Sequence, residues 1–253
     1  MILKRPFYYE YAWAYDLLID AKTEKRIRFI KQIIKEYNHA GVIKILDAGC
    51  GSGSLSLALA SEGFEMTGMD LSEALIDEAI KRDHENINPH FEVENILSSD
   101  YTNIFDIIIC RGVLNDFIED TERSDIFKIF YKALKKNGML IADVREWEET
   151  KKRKLLLPVQ EKKVETEKGL LTFISETNLN DSDKTLNIKE THLLVQDGNK
   201  ICSENFFIMK CWTLREIIQY SKNTKFSVEK LFSDYDSSAK IGQTDRIVFV
   251  LRK

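Results

Sequence analysis

The stretch Ile45-Leu46-Asp47-Ala48-Gly49-Cys50-Gly51-Ser52-Gly53-Ser54 decides how the rest of the chain is read. An apolar strand, Val42 to Asp47, runs into three alternating glycines, and Leu55 to Glu62 then reads as a helix that Gly63 can end. Strand, glycine turn and helix make the opening unit of a doubly wound α/β sheet. Glycines let a backbone approach a ligand closely and adopt positive φ. A dinucleotide fingerprint would put its third Gly or Ala where this chain has Ser54, and a Walker loop would need a following Gly-Lys-Ser/Thr. Asp47, just ahead of the turn, suits a ligand carrying an ammonium group better than a pyrophosphate.

The strand and helix alternation continues outward. Glu65 to Asp70 is a second strand, Phe91 to Asn95 a third, Phe105 to Cys110 a fourth and Met139 to Val144 a fifth. Helices are expected over Ser72 to His84, with Ser72 as N-cap, and over Glu122 to Leu134, ended by a turn at Lys135-Lys136-Asn137-Gly138. Upstream, Ile27, Ile30, Ile33 and Ile34 recur at helical spacing over Thr23 to Tyr37, and Asn38-His39-Ala40-Gly41 is a stop. Pro6 to Asp20, dense in aromatics, reads as an amphipathic helix. From Val159 to Met209 the period changes to alternating strands, an antiparallel sheet inserted after the fifth strand. A helix over Thr213 to Ser221 and two strands, Phe226 to Phe232 and Arg246 to Arg252, close the chain as an antiparallel pair at the sheet edge. The expected organisation is an α/β core over 1–147, an insertion over 148–210 serving as lid or dimer element, and closing elements over 211–253. The sheet is then seven-stranded, doubly wound and mostly parallel, with an antiparallel last strand.

The chain has 253 residues, 43% hydrophobic and 31% charged, with 11 Gly and 3 Pro, so it can build a core and is neither collagen-like nor disordered. Its net charge of -4 speaks against a broad cationic face for nucleic acid. Cys50, Cys110, Cys202 and Cys211 form no C-x-x-C pair, which argues for reduced thiols rather than a zinc site, and no metal site is expected. With no signal-like or membrane-length apolar run, the reading is a soluble cytoplasmic protein. The run Lys151-Lys152-Arg153-Lys154 reads as a solvated helix end beside Glu146, Glu148 and Glu149.

The glycine stretch resembles motif I of the class I S-adenosylmethionine-dependent methyltransferases. Other features agree. Asp70 ends the second strand, with Leu71 and Ser72 forming the corner the family shares. Asn95 and Ile96 follow the third strand, and Phe105 to Arg111 matches the fourth. The resemblance covers residues 40–145 and, loosely, the last strands. It implies that Asp47, Ala48, Gly49, Gly51, Gly53, Asp70, Leu71, Asn95, Ile96 and Arg111 bind S-adenosylmethionine and release S-adenosylhomocysteine. Asp70 would take the ribose hydroxyls, and Asn95, where the family often has an acid, would accept from the adenine amine. The layout is similar to the glycine and amino-sugar N-methyltransferase groups, which implies that Tyr15, of the pair Tyr15-Asp16, and Tyr8 cover the cofactor.

The resemblance implies a small-molecule acceptor, nitrogen favoured over oxygen. The Asn/Asp-Pro-Pro-Tyr/Phe and Pro-Cys motifs of base-methylating enzymes are absent, and Cys110 reads as a buried strand residue. Acceptor-side candidates lie beyond the fourth and fifth strands, where open α/β sheets bind ligands. Asn115 and Asp116 follow the fourth strand; Asp116 could hold an amine or merely cap the next helix. Arg145 could fork a carboxylate or phosphate, or pair with Glu146 or Glu149. Trp147 reads as packing at the base of the insertion. His192 could be a base, or a half-buried strand residue; Tyr235 could reach the acceptor, or lie in an exposed loop. His39, His84 and His90 read as surface. Other classes left open are a non-catalytic partner protein of the same fold, and an RNA or protein methyltransferase. A homodimer through the inserted sheet is a further expectation.

Overall fold

The computed structural model describes residues 5–19, 23–36, 41, 43–84, 87 and 89–253. Seven strands form the main sheet: β1 Lys44–Ala48, β2 Glu65–Asp70, β3 His90–Val93, β4 Phe105–Cys110, β5 Leu134–Arg145, β10 Ser227–Ser233 and β11 Arg246–Arg252. Between β5 and β10 come β6 Val159–Thr166, β7 Gly169–Asn180, β8 Thr185–Gln196 and β9 Asn199–Lys210, a separate four-stranded antiparallel sheet in sequence order. The main sheet has the order β10-β11-β5-β4-β1-β2-β3. Strands β1 to β5 pair in parallel, and β11 runs antiparallel between β5 and β10. The doubly wound, mostly parallel sheet with an antiparallel last strand is therefore observed. The final strand, however, sits inside the sheet and leaves β10 at the edge. Its burial explains this: Ile247 to Leu251 are all nearly inaccessible, as a strand covered on both faces requires.

The helices are α1 Tyr15–Leu18, α2 Thr23–Glu36, α3 Ser54–Ala60, α4 Glu73–Arg82, α5 Asp120–Ala133, α6 Trp147–Leu156 and α7 Leu214–Asn223. They cover both faces of the main sheet. Phe29, Ile30, Ile33 and Ile34 of α2 pack with Leu55 and Leu59 of α3 against Ile45, Ile107 and Ile109. Phe127 and Phe130 of α5 pack with Ile217 of α7 against Leu46, Ile108 and Phe249. Ser72 caps α4 by accepting from Leu75 N, and Thr213 and Glu216 form a reciprocal capping box on α7.

Three local expectations are corrected. The aromatic N-terminal segment is not one helix. It makes 3-10 turns at Pro6–Tyr8 and Ala12–Ala14 and then the single turn α1. Its rings are needed on more than one side, and the Ser72 hydroxyl donates to the Tyr8 carbonyl at 2.6 Å, which an α-helix would have used for its own ladder. The turn expected at Lys135–Gly138 is absorbed into β5, which starts directly after α5 with Asn137 at φ +65°. Backbone pairing holds it there: Asn137 N donates to Lys253 O and Lys253 N to Gly138 O. The third strand stops at Val93, so Asn95 lies beyond it. The stop at Asn38-His39-Ala40, together with Asp20, Tyr37 and Val42, falls outside the described residues.

Candidate functional site

The ends of β1, β2 and β4 meet at the glycine turn. Gly49 lies at φ +82°, and a Cβ there would stand 2.2 Å from Val113. Gly51 lies at φ +56° with the Tyr15 ring 3.4 Å from where its Cβ would be. Only glycine keeps this loop under those two neighbours. Asp70 pins the turn from β2: Oδ2 accepts from Gly51 N at 2.9 Å and Oδ1 from Ser72 N at 2.9 Å. Asp16 clasps the other side, accepting from Ser52 Oγ at 2.7 Å and Ser54 Oγ at 3.3 Å and pairing with Arg82. The Tyr15-Asp16 pair thus folds onto the glycine loop.

Asp47 is buried beneath the loop. Ser56 Oγ donates to its Oδ2 at 2.7 Å, while Oδ1 is buried with no partner. Burial pushes its carboxyl above the ordinary range, with Arg111 and the Ser56 bond opposing. Burial likewise raises Asp70, against its backbone N–H bonds. An unpaired buried carboxylate oxygen and an open glycine cradle fit a ligand with an ammonium group and a diol, so these residues fit S-adenosylmethionine. Ala48 is buried in β1, Leu71 is exposed at the corner and Ile96 is buried. The Asn95 Oδ1 already accepts from Leu97 N at 3.0 Å, capping a 3-10 turn at Ile96–Ser98. Arg111 leaves β4 beside Tyr15, Tyr235, Asp47 and Asp143, with its Nε buried and unpartnered. Burial pushes the Tyr15 phenol up to about 12.

The acceptor-side candidates divide. Asn115 is fully occupied as a strut: Oδ1 accepts from Arg145 N and Nδ2 donates to Lys210 O, both at 2.9 Å. It joins β5 to the inserted sheet. Asp116 closes the 3-10 turn Leu114–Asp116 and caps nothing, since α5 starts at Asp120 after Glu119. Solvent reaches its side chain, yet the surrounding protein pushes its carboxyl up to about 6; Arg5 and then Arg145 oppose the rise. Arg145 pairs with Asp245 at 2.9 Å, not with Glu146 or Glu149. Tyr235 is buried rather than in an exposed loop, and its hydroxyl donates to Asp143 Oδ2 at 2.8 Å. Trp147 packs with Leu186, Ile188 and Cys211 at the base of the insertion.

His192 is fully buried, not half-buried. It stacks on Tyr11 with centroids 4.5 Å apart, and neither ring nitrogen has a partner. Burial first, then Arg5, lower it to about 4, so it is neutral at neutral pH. His84 and His90 are exposed, and His39 lies outside the described residues.

The sequence reading missed Arg5 and Glu190. Arg5 Nη1 donates to the Tyr8 hydroxyl at 3.0 Å and Nη2 to Glu190 Oε1 at 2.9 Å, with its guanidinium 3.5 Å over the Phe207 ring. This cluster ties the N-terminal segment to β8 and β9 above Asp116. Glu190 Oε2 and the Asn205 Nδ2, cross-strand neighbours, are buried without partners. The signal was present in β8, whose inward row Leu186, Ile188, Glu190, His192, Leu194 is apolar except in the middle.

Comparison with known proteins agrees with this geometry. The family described as "Methyltransferase domain" matches residues 40–235. A Geobacillus sp. (strain WCH70) protein, whose name marks it as a methyltransferase by inference, is 34% identical over 140 residues, 54% of this chain and 57% of that one. The chain thus aligns with little more than half the length of that relative. An S-adenosylmethionine-dependent methyltransferase of Clostridium acetobutylicum superposes with a TM-score of 0.80 at 20% identity, covering 96% of this chain and 97% of that one. The sugar N-methyltransferase KedS8 of Streptoalloteichus gives 0.78 at 16% identity, covering 94% and 92%. At these identities the two structures share the fold alone.

Proposed function

We propose that this chain, which belongs to the methyltransferase domain family and uses S-adenosylmethionine, transfers the methyl group to an amine nitrogen of a small molecule. The sulfonium of the cofactor supplies an activated methyl group and its own leaving group. The chain's residues have then to align the nucleophile, exclude water and accept a proton. Asp70 would hold the ribose diol, Asp47 the ammonium side, and Tyr15 and Tyr8 would cover the loop. Arg111 would face the methionine carboxylate.

The observation that carries the amine reading is Asp116. It is a carboxylate at the mouth of β4, held near the pH at which it can both attract an ammonium and take its proton. The inserted sheet adjoins this point through Asn115, and Arg5 and Glu190 act on the Asp116 carboxyl, which supports a ligand of small size. The free thiols support a cytoplasmic setting, and among the described residues no helix is long and apolar enough to cross a membrane.

The test is release of S-adenosylhomocysteine from full-length protein with parallel panels of primary amines, alcohols, bulk RNA and protein. Methylated amine, lost in Asp116→Asn, is the expected outcome. Turnover with alcohols or macromolecules alone would refute the amine reading. Tight cofactor binding with no turnover on any panel would favour a non-catalytic partner role.

A further inference from the structure

The run Lys151-Lys152-Arg153-Lys154 is not uniformly solvated. Lys151 pairs with Asp181 at 2.7 Å and Lys152 with Glu149 at 2.6 Å on the outer side of α6. Trp147, Thr150 and Lys154 form the buried stripe of the helix at i, i+3 and i+7, and Lys154 is only 6% exposed. Its ammonium reaches the Gln160 amide oxygen at 3.4 Å and, among the described residues, no carboxylate. Burial, then Arg153 and Arg145, pull it down to about 8, with Asp245 opposing.

Its neighbours are cations as well. Arg145 donates to Asp245 Oδ2 at 2.9 Å, and Arg153 pairs with the same oxygen at 2.7 Å. Arg153 Nε is buried without a partner. Arg246 pairs with Asp143 and lies close enough to Arg145 to oppose its charge. Four cations thus share two paired carboxylates, Asp143 and Asp245, with Asp116 also within the field of Arg145. Holding a buried cation such as Lys154 without a paired counter-charge is costly, and the positive excess of this cluster favours an anion. A phosphate ester carries about -1.5 to -2 at neutral pH and offers three acceptor oxygens, more charge and more acceptors than a carboxylate. Arg111 lies toward Asp47 and Tyr15 and remains for the cofactor's carboxylate, while Arg26 lies over the Tyr235 ring, near Asp143 and Arg246.

We infer that Arg145, Arg153, Lys154 and Arg246 form a seat for a phosphate group, and that the amine acceptor carries that phosphate. The second half rests on the amine reading above. The two sites adjoin: Arg145 N donates to Asn115 Oδ1 at 2.9 Å, next to Asp116 in the chain, and Arg145 also acts on the Asp116 carboxyl. A phosphate held in the Arg145 fork would leave the rest of the ligand directed at Asp116, beside the end of β4.

The test uses the full chain saturated with S-adenosylhomocysteine and titrated calorimetrically with inorganic phosphate and pyrophosphate, then with O-phosphoethanolamine and ethanolamine. Saturable one-site binding of both inorganic anions is expected. It should weaken about 10-fold in Lys154→Met and in Arg153→Gln, the loss of about one charge-assisted contact, and be unchanged in Lys152→Gln. O-phosphoethanolamine should bind more tightly than ethanolamine, with the gap closed in Lys154→Met. Failure of both anions to saturate, unchanged affinity in Lys154→Met, or equal weakening in Lys152→Gln would overturn the seat. Anion binding with no advantage for the phosphorylated amine would overturn its link to the acceptor. Failure of S-adenosylhomocysteine itself to bind would instead refute the functional reading on which the link rests.

Discussion

Substitution Asp70→Ala removes the side chain that holds Gly51 and Ser72 at the glycine loop and to which the functional reading proposed above assigns the ribose. In the structure its two oxygens take one backbone N–H each, from Gly51 and Ser72, both at 2.9 Å. Each oxygen keeps a second lone pair for a ribose hydroxyl. A hydrogen bond to a charged group is worth about 1.5–3 kcal/mol, so losing both ribose contacts costs about 3–6 kcal/mol, or roughly 10²- to 10⁴-fold in Kd. The same change leaves two backbone N–H groups without acceptors, at about 1–3 kcal/mol each where they are buried, so stability falls too. Asp70→Asn separates the effects: it keeps one acceptor oxygen and should lose affinity by an intermediate factor while melting closer to the parent protein. The assay is calorimetric titration with S-adenosylhomocysteine on variants shown to be folded by a cooperative melt. A folded alanine variant that binds within about 2-fold of the parent would refute the assignment of Asp70, because the two ribose contacts assigned to it would then carry no measurable affinity.

Further outcomes are expected. Asp116 titrates at about 6, so methyl transfer should fall as pH drops through 6 and its carboxylate takes a proton; Asp116→Asn should flatten that acid limb and lower kcat, and an unchanged profile would sink the proton-acceptor role. Native His192 stays neutral down to about 4, whereas its ordinary value is 6.5. The unfolded chain therefore binds that proton first, and stability should be lost as pH falls from 6.5 to 4, by at most about 3 kcal/mol; urea melts of His192→Phe should show a weaker acid-side slope. Cys202 is the exposed thiol, while burial raises Cys50, Cys110 and Cys211, the last to about 12. A thiol reagent should modify Cys202 fast in native protein and the other three only on unfolding, as peptide mapping would show.

The parallel core was legible because its signals are local. A buried strand, three glycines and an acid at the next strand end lie within 26 residues, Ile45 to Asp70, and each obeys a backbone rule. What was missed depends on groups far apart in sequence. Arg5 meets Glu190, Arg145 meets Asp245 and Tyr235 meets Asp143 only after the sheet closes. Asp234 and Asp236 made Tyr235 look like part of a solvated loop, yet its own side chain turns inward. The N-terminal helix failed for a related reason. Helical periodicity describes one apolar stripe, whereas Phe7 stacks on Phe173 and Tyr11 on His192 of the inserted sheet.

The inserted sheet carries its own argument about purpose. Along β8 the inward row begins with Leu186 and Ile188 and ends with Leu194, so strand alternation here is fully capable of an apolar face. Between them stand Glu190 and His192, with Thr177 and Asn205 on the neighbouring strands. Thr177 Oγ1, Glu190 Oε2, both His192 nitrogens and Asn205 Nδ2 are buried without partners. Each such group costs about 1–3 kcal/mol relative to a paired one, whereas leucine or valine at these positions would cost nothing of the kind. Selection for stability alone would have removed them. Glu190 offers an acceptor and Asn205 a donor on facing strands, an arrangement complementary to a group that both gives and takes a hydrogen bond, as a hydroxyl or an amine does. Under the functional reading proposed above, the polar middle of this sheet would face the ligand, and the Arg5 clamp that draws the N-terminal segment onto it would complete the enclosure.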